Sequence, residues 1–425
     1  MGYFFLSIVL WPIFFLYTGR IALRDKSLRY FLQRLGQAYP RQSERHIWIH
    51  CASVGEVNTL MPLLHKLLEQ FPQSQFVITT TTTTGAQTLA RHNPERTQHC
   101  YLPVESFFSI NRFLYAWQVQ QCLIMETEIW PLLYRCCARQ HIDITLINAR
   151  LSHRTLNTHQ WVKKLYRESL KKVSKILCKS AQEVNHFKSL GATDKQLFMC
   201  GNLKFTSTEN THDLLQPINL NNRNYCVAAS THDNEEQQLA QLWCKRHAGH
   251  PQKPEAQPGP QKPASHELLV IVPRHPQRSE KIQKQLKRLN MSYAVRSKHQ
   301  PINTTTLIYL ADTLGELAGF IAAADIVFIG GSLIEHGGQN ILEAARAGKA
   351  IICGPHMFNF KDEVELLLAH QACIQVKDIN VLAHTFSDLL EHPEQRKILG
   401  ENARAALEQQ DDILEKYVSQ LDKLV

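Results

Sequence analysis

Acids, cations and glycines recur in this chain at one kind of place, just after a short apolar run. In ASVGEV (52–57), Glu56 stands three residues after Ser53, where helical periodicity begins. A carboxylate in a first helical turn is favoured by the free amides there, and one in a ligand site can take a proton from a hydroxyl. The same S-x-x-E spacing is that of a capping box. On spacing alone Glu56 is first a cap, and a cap engaged with its own backbone is a weaker base. METEIWP (125–131) sets Glu126 and Glu128 on one face of an extended segment beside Trp130 and Pro131, which suits a sugar or a phosphate. NARLS (148–152) offers Asn148, Arg150 and Ser152, and GNLKF (201–205) offers Lys204 after a turn. The hydroxyls of TTTTTTG (79–85) suit a pocket wall, but the run reads first as a strand end and helix cap.

The second half repeats the arrangement. ASTHDNEE (229–236) is strand, polar turn and helix, and Thr231 with acids behind it reads as a cap leaving N–H groups for an anion. VPRHPQR (272–278) brings Arg274, His275 and Arg278 directly after a strand, on a turn stiffened by two prolines. A guanidinium there suits phosphate or carboxylate. In GGSLIEHGGQNILEAARAG (330–348), Gly330 and Gly331 end a strand, Gly337 and Gly338 admit a close backbone approach, and QNILEAARAG starts a helix facing a phosphate. This is neither G-x-G-x-x-G nor a Walker A loop, which disfavours a dinucleotide and a P-loop. His336 has no metal-ligand spacing around it and reads as a hydrogen-bonding neighbour.

These residues need a scaffold that delivers many strand ends to one place. Short apolar runs at 47–53, 75–80, 121–127, 143–148, 175–180 and 196–202 alternate with helical stretches such as 57–71, where Pro62 comes early. This is the rhythm of a parallel, doubly wound sheet, which binds ligands at the carboxyl ends of its strands. After an Asn-rich polar stretch near 208–224, a second series runs through 224–230, 267–274, 292–297, 306–312, 325–332 and 349–355. The Pro-rich run 247–266 reads as an exposed insertion. The expected division is 1–45 as anchor and basic collar, 46–210 and 211–393 as two Rossmann-like domains facing a central cleft, and 394–425 as a last helix able to cross back.

At 425 residues, with 44% hydrophobic and 20% charged residues, the chain is globular and long enough for two or three domains. The 18 Gly and 18 Pro without a period exclude collagen-like and low-complexity classes. The net charge of +9 is concentrated: residues 20–45 carry Arg20, Arg24, Lys26, Arg29, Arg34, Arg41 and Arg45 against Asp25 and Glu44. Such a local collar argues against nucleic acid and for an anionic membrane. Residues 3–19 are uncharged, rich in Phe, Leu and Ile, and interrupted by Pro12. Charges after the run rather than before it disfavour a cleaved signal peptide and direct the bulk of the protein to the cytoplasm. The expectation is a single uncleaved N-terminal anchor that spans or dips into the inner leaflet; a buried core helix is the alternative. Eleven scattered cysteines without a C-x-x-C pair read as small buried hydrophobes. The whole describes a GT-B-type glycosyltransferase using a nucleotide sugar and a membrane-bound acceptor.

Eight segments, WIHCASVGEV, METEIWP, NARLS, GNLKF, ASTHDNEE, VPRHPQR, DTLGEL (312–317) and GGSLIEHGGQNILEAA, together resemble the Kdo (3-deoxy-D-manno-oct-2-ulosonic acid) transferases of lipopolysaccharide synthesis, in the family's order and over nearly the whole chain. Cys51 in the first block, Ile341 where a proline often follows the Asn, and the Pro-rich insertion depart from the pattern without removing a candidate residue. The resemblance implies an inverting, metal-independent enzyme of GT-B fold, without cofactor, moving Kdo from CMP-Kdo to a lipid A precursor at the cytoplasmic face of the inner membrane. It makes Glu56 the general base and gives Glu126 and Lys204 transition-state stabilisation. It assigns CMP to Pro273 and Arg274, to Leu314, Gly315 and Glu316, and to Asn340, Ile341, Leu342 and Glu343, with Glu343 on the ribose and the helix start on the phosphate. The competing readings are another GT-B enzyme, such as a UDP-sugar transferase or 2-epimerase, and a peripheral scaffold on anionic lipid.

Overall fold

The computed structural model describes residues 2–126, 128–206, 216–248, 267–410 and 412–421, leaving aside the side chains of 2–11 and of His153. The Pro-rich insertion lies outside the described residues from 249 onward. The chain forms two compact units, residues 1–208 with 410–425, and residues 209–409.

The first unit is built on seven parallel strands: β1 (His46–Cys51), β2 (Gln75–Thr80), β3 (Thr97–Tyr101), β4 (Val119–Met125), β5 (Asp143–Ala149), β6 (Lys175–Cys178) and β7 (Leu197–Met199). Their order is β3-β2-β1-β4-β5-β6-β7. Strands covered on both faces carry nearly continuous apolar sequence, and all six residues of β1 are buried. The polar members of β1 and its neighbour satisfy one another: the Trp48 indole N–H donates to Thr79 Oγ1 (2.8 Å), and His50 Nδ1 shares a hydrogen bond with the same hydroxyl (2.8 Å). Burial pushes His50 down to about 3, so it is neutral. Alternate side chains feed two cores. Trp48, Cys122 and Ile124 pack with the helices Phe107–Ala116 and Pro131–Arg139. Ile47, Ile49, Leu123 and Met125 pack with Val54–Gln70 and with Ile413, Tyr417 and Leu421 of the chain's end.

The second unit repeats the plan with β8 (Tyr225–Thr231), β9 (Leu268–Pro273), β10 (Tyr293–Val295), β11 (Ile308–Leu310), β12 (Ile326–Ile329), β13 (Ala350–Cys353) and β14 (Cys373–Gln375), ordered β10-β11-β9-β8-β12-β13-β14 and again all parallel. Each sheet therefore reverses its winding once, at β1 beside β4 and at β8 beside β12. A doubly wound sheet opens its crevice at such a switch point.

Several expectations need correction. Residues 394–425 are not one helix: Pro393–Glu408 packs in the second unit, and Ile413–Gln420 packs against Val54–Gln70 in the first. Residues 408–412 are all polar, so no apolar stripe carries the helix through. The helix after β1 starts at Val54, so Pro62 falls in its middle. The strands β3 and β14 escaped the sequence reading because both lie at sheet edges and lack a continuous apolar run.

The N-terminal run lies in the helix Gly2–Arg24, with Pro12 inside it. Among the described residues no helix is long and apolar enough to cross a membrane, so a spanning anchor is unsupported. Ile13, Leu16, Tyr17 and Leu23 of the N-terminal helix are nevertheless exposed, which a buried core helix would not be. The basic collar is not uniformly a surface. Arg34 is buried and donates through Nη1 to Leu102 O (2.6 Å), and Arg29 donates to His99 O. Part of the collar thus ties the N-terminal segment to the first sheet. All eleven cysteines are free thiols, and ten are buried.

Candidate active site

In the first unit the switch point carries the acids. β1 and β4 pair side by side, His50 opposite Ile124, so the residues that follow, 52–56 and 126, leave the sheet at the same edge. Ser53 is the N-cap of Val54–Gln70, its hydroxyl accepting from the Glu56 N–H (3.4 Å). Glu56 turns back: Oε2 accepts from the Ala52 N–H (2.7 Å) and Oε1 from the Ser53 hydroxyl (3.2 Å). The cap read from the spacing is there, yet the carboxylate is not made a weak base. Only 9% of the residue is exposed. Burial, reinforced by Glu126 and Glu128, pushes its carboxyl up to about 7, against the Ala52 and Ser53 hydrogen bonds that hold it down. A carboxyl group titrating there suits general base work near neutral pH.

Glu126 does not continue an extended segment. Its φ of +56° puts it in the left-handed region, and its N–H donates to Ile147 O (2.9 Å). The two acids take different partners, and the Glu126 carboxylate still helps to raise Glu128. Glu126 pairs with Arg150, from the end of β5, through Nε (2.7 Å) and Nη2 (2.6 Å). Glu128 accepts from the Trp130 indole N–H (2.7 Å), and burial raises its carboxyl. Lys204 reaches the same sheet edge by another route. Asn148, itself left-handed at φ +51°, accepts from the Leu203 N–H (3.1 Å), and Asn202 accepts from the Lys204 N–H (3.1 Å). The Tyr417 hydroxyl donates to Gly201 O (2.9 Å). The short helical turn Leu203–Thr206 packs against the helix that carries Glu56. Glu56, Glu126 and Lys204 are thus gathered at the carboxyl edge of one sheet, with Arg150, Asn148 and Tyr417 setting their positions.

In the second unit the adjacent strands β11, β9, β8 and β12 deliver the other candidates to one edge. Pro273 ends β9 and is buried, and the Arg274 N–H donates to Thr231 O (3.0 Å). The Arg274 side chain is exposed and makes no ion pair among the described residues. Arg278, by contrast, is held by Glu236 (2.8 Å) and Asp233 (3.0 Å). After β11, Leu314 is 79% exposed and Gly315 has φ +84° with open space around it. Glu316 is held by Arg296 (2.6 Å), which keeps its carboxyl below the usual range. After β12, Asn340 Oδ1 accepts from the Leu342 N–H (3.1 Å), and its amide donates to Glu343 Oε1 (2.9 Å). Ile341 and Leu342 are buried and anchor this turn.

Two expectations about anion binding change here. The helix after Asn340 runs only Leu342–Arg346 and ends before Gly348 (φ +63°), so its dipole is small. The amides after β12 already hold an anion from within the chain. Glu235, fully buried, accepts from the N–H groups of His232 (2.9 Å), Gly331 (2.6 Å), Ser332 (3.1 Å) and Leu333 (3.1 Å). Thr231 is no helix cap, since its hydroxyl donates to Glu236 (3.0 Å). His232 lies against His336 (ring centroids 3.8 Å) and accepts from the Gln339 amide (2.9 Å). Burial and the neighbouring cations push it down to about 4, so it is neutral.

A family model described as "3-Deoxy-D-manno-octulosonic-acid transferase (kdotransferase)" matches residues 29–207, and one described as "Glycosyl transferases group 1" matches 292–406. The 3-deoxy-D-manno-octulosonic acid transferase of Haemophilus influenzae is 30% identical, over 98% of this chain and 98% of its own. That of Rickettsia typhi is 31% identical, over 93% of this chain and 82% of its own. Among solved structures, a UDP-GlcNAc 2-epimerase from Neisseria meningitidis bound to UDP-GlcNAc covers 88% of this chain and 100% of its own, with a TM-score of 0.57 at 15% identity, a likeness of fold alone. The two parallel-sheet α/β domains resemble those of GT-B glycosyltransferases.

The Glu56 carboxyl yields a stability prediction. A folded value of about 7, above the ordinary 4.5, means that the ionised form is disfavoured in the fold. The group's contribution is fully present below about pH 4.5 and is lost as pH rises through about 7. Glu56→Gln is therefore expected to be more stable than the wild type at pH 8, by about 2 kcal/mol after some loss of the cap. The gap should close toward pH 5, as read by urea denaturation. A variant less stable at pH 8 would mean that the cap outweighs the strain.

Proposed function

The chain belongs to the family of 3-deoxy-D-manno-octulosonic acid transferases, and we propose that its donor is CMP-Kdo and its acceptor a lipid A precursor, met at the cytoplasmic face of the inner membrane. It is a Kdo glycosyltransferase of lipopolysaccharide biosynthesis. The donor and acceptor follow from family membership, and the observation that supports the transfer step is Glu56, buried at the switch point of the first sheet and held there by the Ala52 N–H and the Ser53 hydroxyl, with its carboxyl pushed up to about 7.

In this reading the ionised Glu56 carboxylate accepts the proton of an acceptor sugar hydroxyl as that oxygen attacks the anomeric carbon of Kdo. The bond from that carbon to the CMP phosphate breaks, and CMP leaves with the electron pair on its phosphate oxygen. Attack on the face opposite the leaving group inverts the configuration. The Ala52 N–H and the Ser53 hydroxyl fix the base in place without removing its basicity. Lys204 and Glu126 act on the charge that develops, and Arg150 orients Glu126.

Arg274 faces the CMP phosphate, because the neighbouring Arg278 is held by acids and Arg274 is not. The turn of Asn340, Ile341, Leu342 and Glu343 receives the ribose and phosphate, and Leu314, Gly315 and Glu316 border the nucleotide. With Glu235 filling the amides after β12, the phosphate is met by Arg274 and the Asn340 turn rather than by the glycines at 330 and 331. A monophosphate leaving group can be stabilised by such groups without a divalent metal. The exposed apolar side chains of the N-terminal helix, with Arg20 and Arg24 beside them, suit an interfacial attachment to an anionic leaflet.

Purified protein with CMP-Kdo and a tetraacylated lipid A precursor, without divalent metal at the transfer step, is expected to yield products heavier by whole Kdo units in mass spectrometry. No shift with an active donor supply would overturn the donor and acceptor assignment. Glu56→Ala should lower transfer by roughly 10²–10⁴-fold while CMP-Kdo binds as before, and lost donor binding would contradict its role. Arg274→Ala should weaken donor binding by roughly tenfold or more, and an unchanged affinity would refute it.

A further inference from the structure

One buried carboxylate of the first unit has its partners outside the reacting groups. Glu183 lies in the first turn of the helix Ala181–Leu190, which follows β6, and Ser180, the N-cap, accepts from the Glu183 N–H (3.3 Å). Ser180 and Glu183 repeat the S-x-x-E spacing of Ser53 and Glu56. In a capping box the acid turns back to the amide of its own N-cap. Glu183 instead crosses to a neighbouring stretch of chain: its Oε2 accepts from the Leu151 N–H (2.8 Å) and lies 3.2 Å from His186 Nδ1. Only 7% of the residue is exposed. A cap is served as well by an acid in water, and burying a carboxylate costs desolvation, so the burial of Glu183 answers a demand outside its own helix.

That demand is at Arg150. β5 ends at Ala149, whose carbonyl accepts from the Lys179 N–H (3.2 Å) just after β6 ends at Cys178. Beyond that point the amide of Leu151 has no strand to meet, and Glu183 supplies its acceptor. The tether fixes the residue before it. Arg150 is half-exposed, so packing alone does not set its direction, yet its Nε and Nη2 both meet Glu126 Oε2 (2.7 and 2.6 Å). Two guanidinium N–H groups on one carboxylate require a defined approach. Glu126 is held from its own side by its N–H bond to Ile147 O, so the ion pair closes only where the Leu151 turn stands, and Glu183 keeps it there.

The pair bears on the base. Around the start of the helix that carries Glu56 stand Glu126 and Glu128, both of which disfavour its ionised form, and the Cys51 thiol, which burial keeps protonated. Lys204 sits on the turn Leu203–Thr206, and His92 meets Asn58 (3.2 Å). Ile413–Gln420 adds Glu415 and Lys416, engaged with Lys66 and Asp412. Of these groups Glu126 is the one joined to Arg150, which offsets its charge. We propose that Glu183 is a positioning residue for the transfer step: by holding the Leu151 amide it aims Arg150 at Glu126, and so limits the negative charge that Glu56 meets as it ionises. The inference rests on the reading of Glu56 as the base and extends it to a residue on another helix.

The test uses the full chain in single turnovers with donor and acceptor saturating, from about pH 5 to 9. Glu183→Ala should lower the plateau rate roughly tenfold and move the midpoint up from about 7 by roughly half a pH unit or more, with both KM values little changed. Should it fail to fold, Glu183→Asp takes its place, since it keeps the charge but is a methylene too short to reach Leu151. Glu183→Gln, whose amide oxygen can still accept from Leu151, should keep the wild-type midpoint. Arg150→Ala should reproduce the shift, and Glu183→Ala added to it should move the midpoint no further. A rate loss with an unmoved midpoint, a Glu183→Gln profile like that of Glu183→Ala, or shifts that add in the double variant would each overturn the proposal. If the wild type transfers no Kdo, the transfer reading fails on its own. Glu183 is then judged by urea denaturation, from the pH at which the stability gap between wild type and Glu56→Gln stops widening. That pH should lie near 7 and rise by the same amount in the Glu183→Ala background; an unmoved value overturns the proposal.

Discussion

Everything at the first site depends on two parallel strands lying side by side with their helices departing to opposite faces. β1 sends its chain into Val54–Gln70 and one core, and β4 sends its chain into Pro131–Arg139 and the other. Where such chains diverge, the sheet's carboxyl edge is left uncovered, and side chains from both loops can face one ligand. Glu56 and Glu126 come from those two loops. The same constraint recurs at β8 and β12, where His232 and Gln339 meet (2.9 Å). The fold thereby concentrates the candidate residues at one edge of each sheet, without requiring them to be close in sequence.

Glu56 shows how one residue can satisfy two demands that look opposed. A carboxylate that accepts from Ala52 and Ser53 would ordinarily be a poor base, because those bonds favour its ionised form. Here desolvation works against them, and the carboxyls of Glu126 and Glu128 add to it. The helix cap supplies geometry and the burial supplies basicity. Spacing could reveal only the first, since the raised carboxyl depends on burial in the fold and on the charge of residues such as Glu126, seventy positions away.

The residues that could do chemistry stood out in the sequence because each follows an apolar strand, and in parallel sheets that placement alone brings them to one edge. Their supports were not legible. Glu235 is bound by amides nearly a hundred residues further on, Asn148 by Leu203, and Gly201 by Tyr417. None of these pairs carries a local signature. The glycines at 330 and 331 looked like a phosphate cradle for the same reason, since nothing nearby announced that an internal carboxylate fills it. Arg34 read as one basic residue among seven until its burial set it apart. The edge strands β3 and β14 were missed because a strand with one neighbour needs no continuous apolar run.

The central claim is that Glu56, held by its helix start yet raised by burial, takes the proton in the transfer step. The most direct measurement is the pH profile of a single turnover on the intact enzyme with donor and acceptor saturating. The rate should climb with pH and level off with a midpoint near 7, and Glu56→Gln should lose both the climb and the rate. A profile flat from about pH 5 to 8, or a Glu56→Gln enzyme that keeps the wild-type rate and profile, would contradict the account.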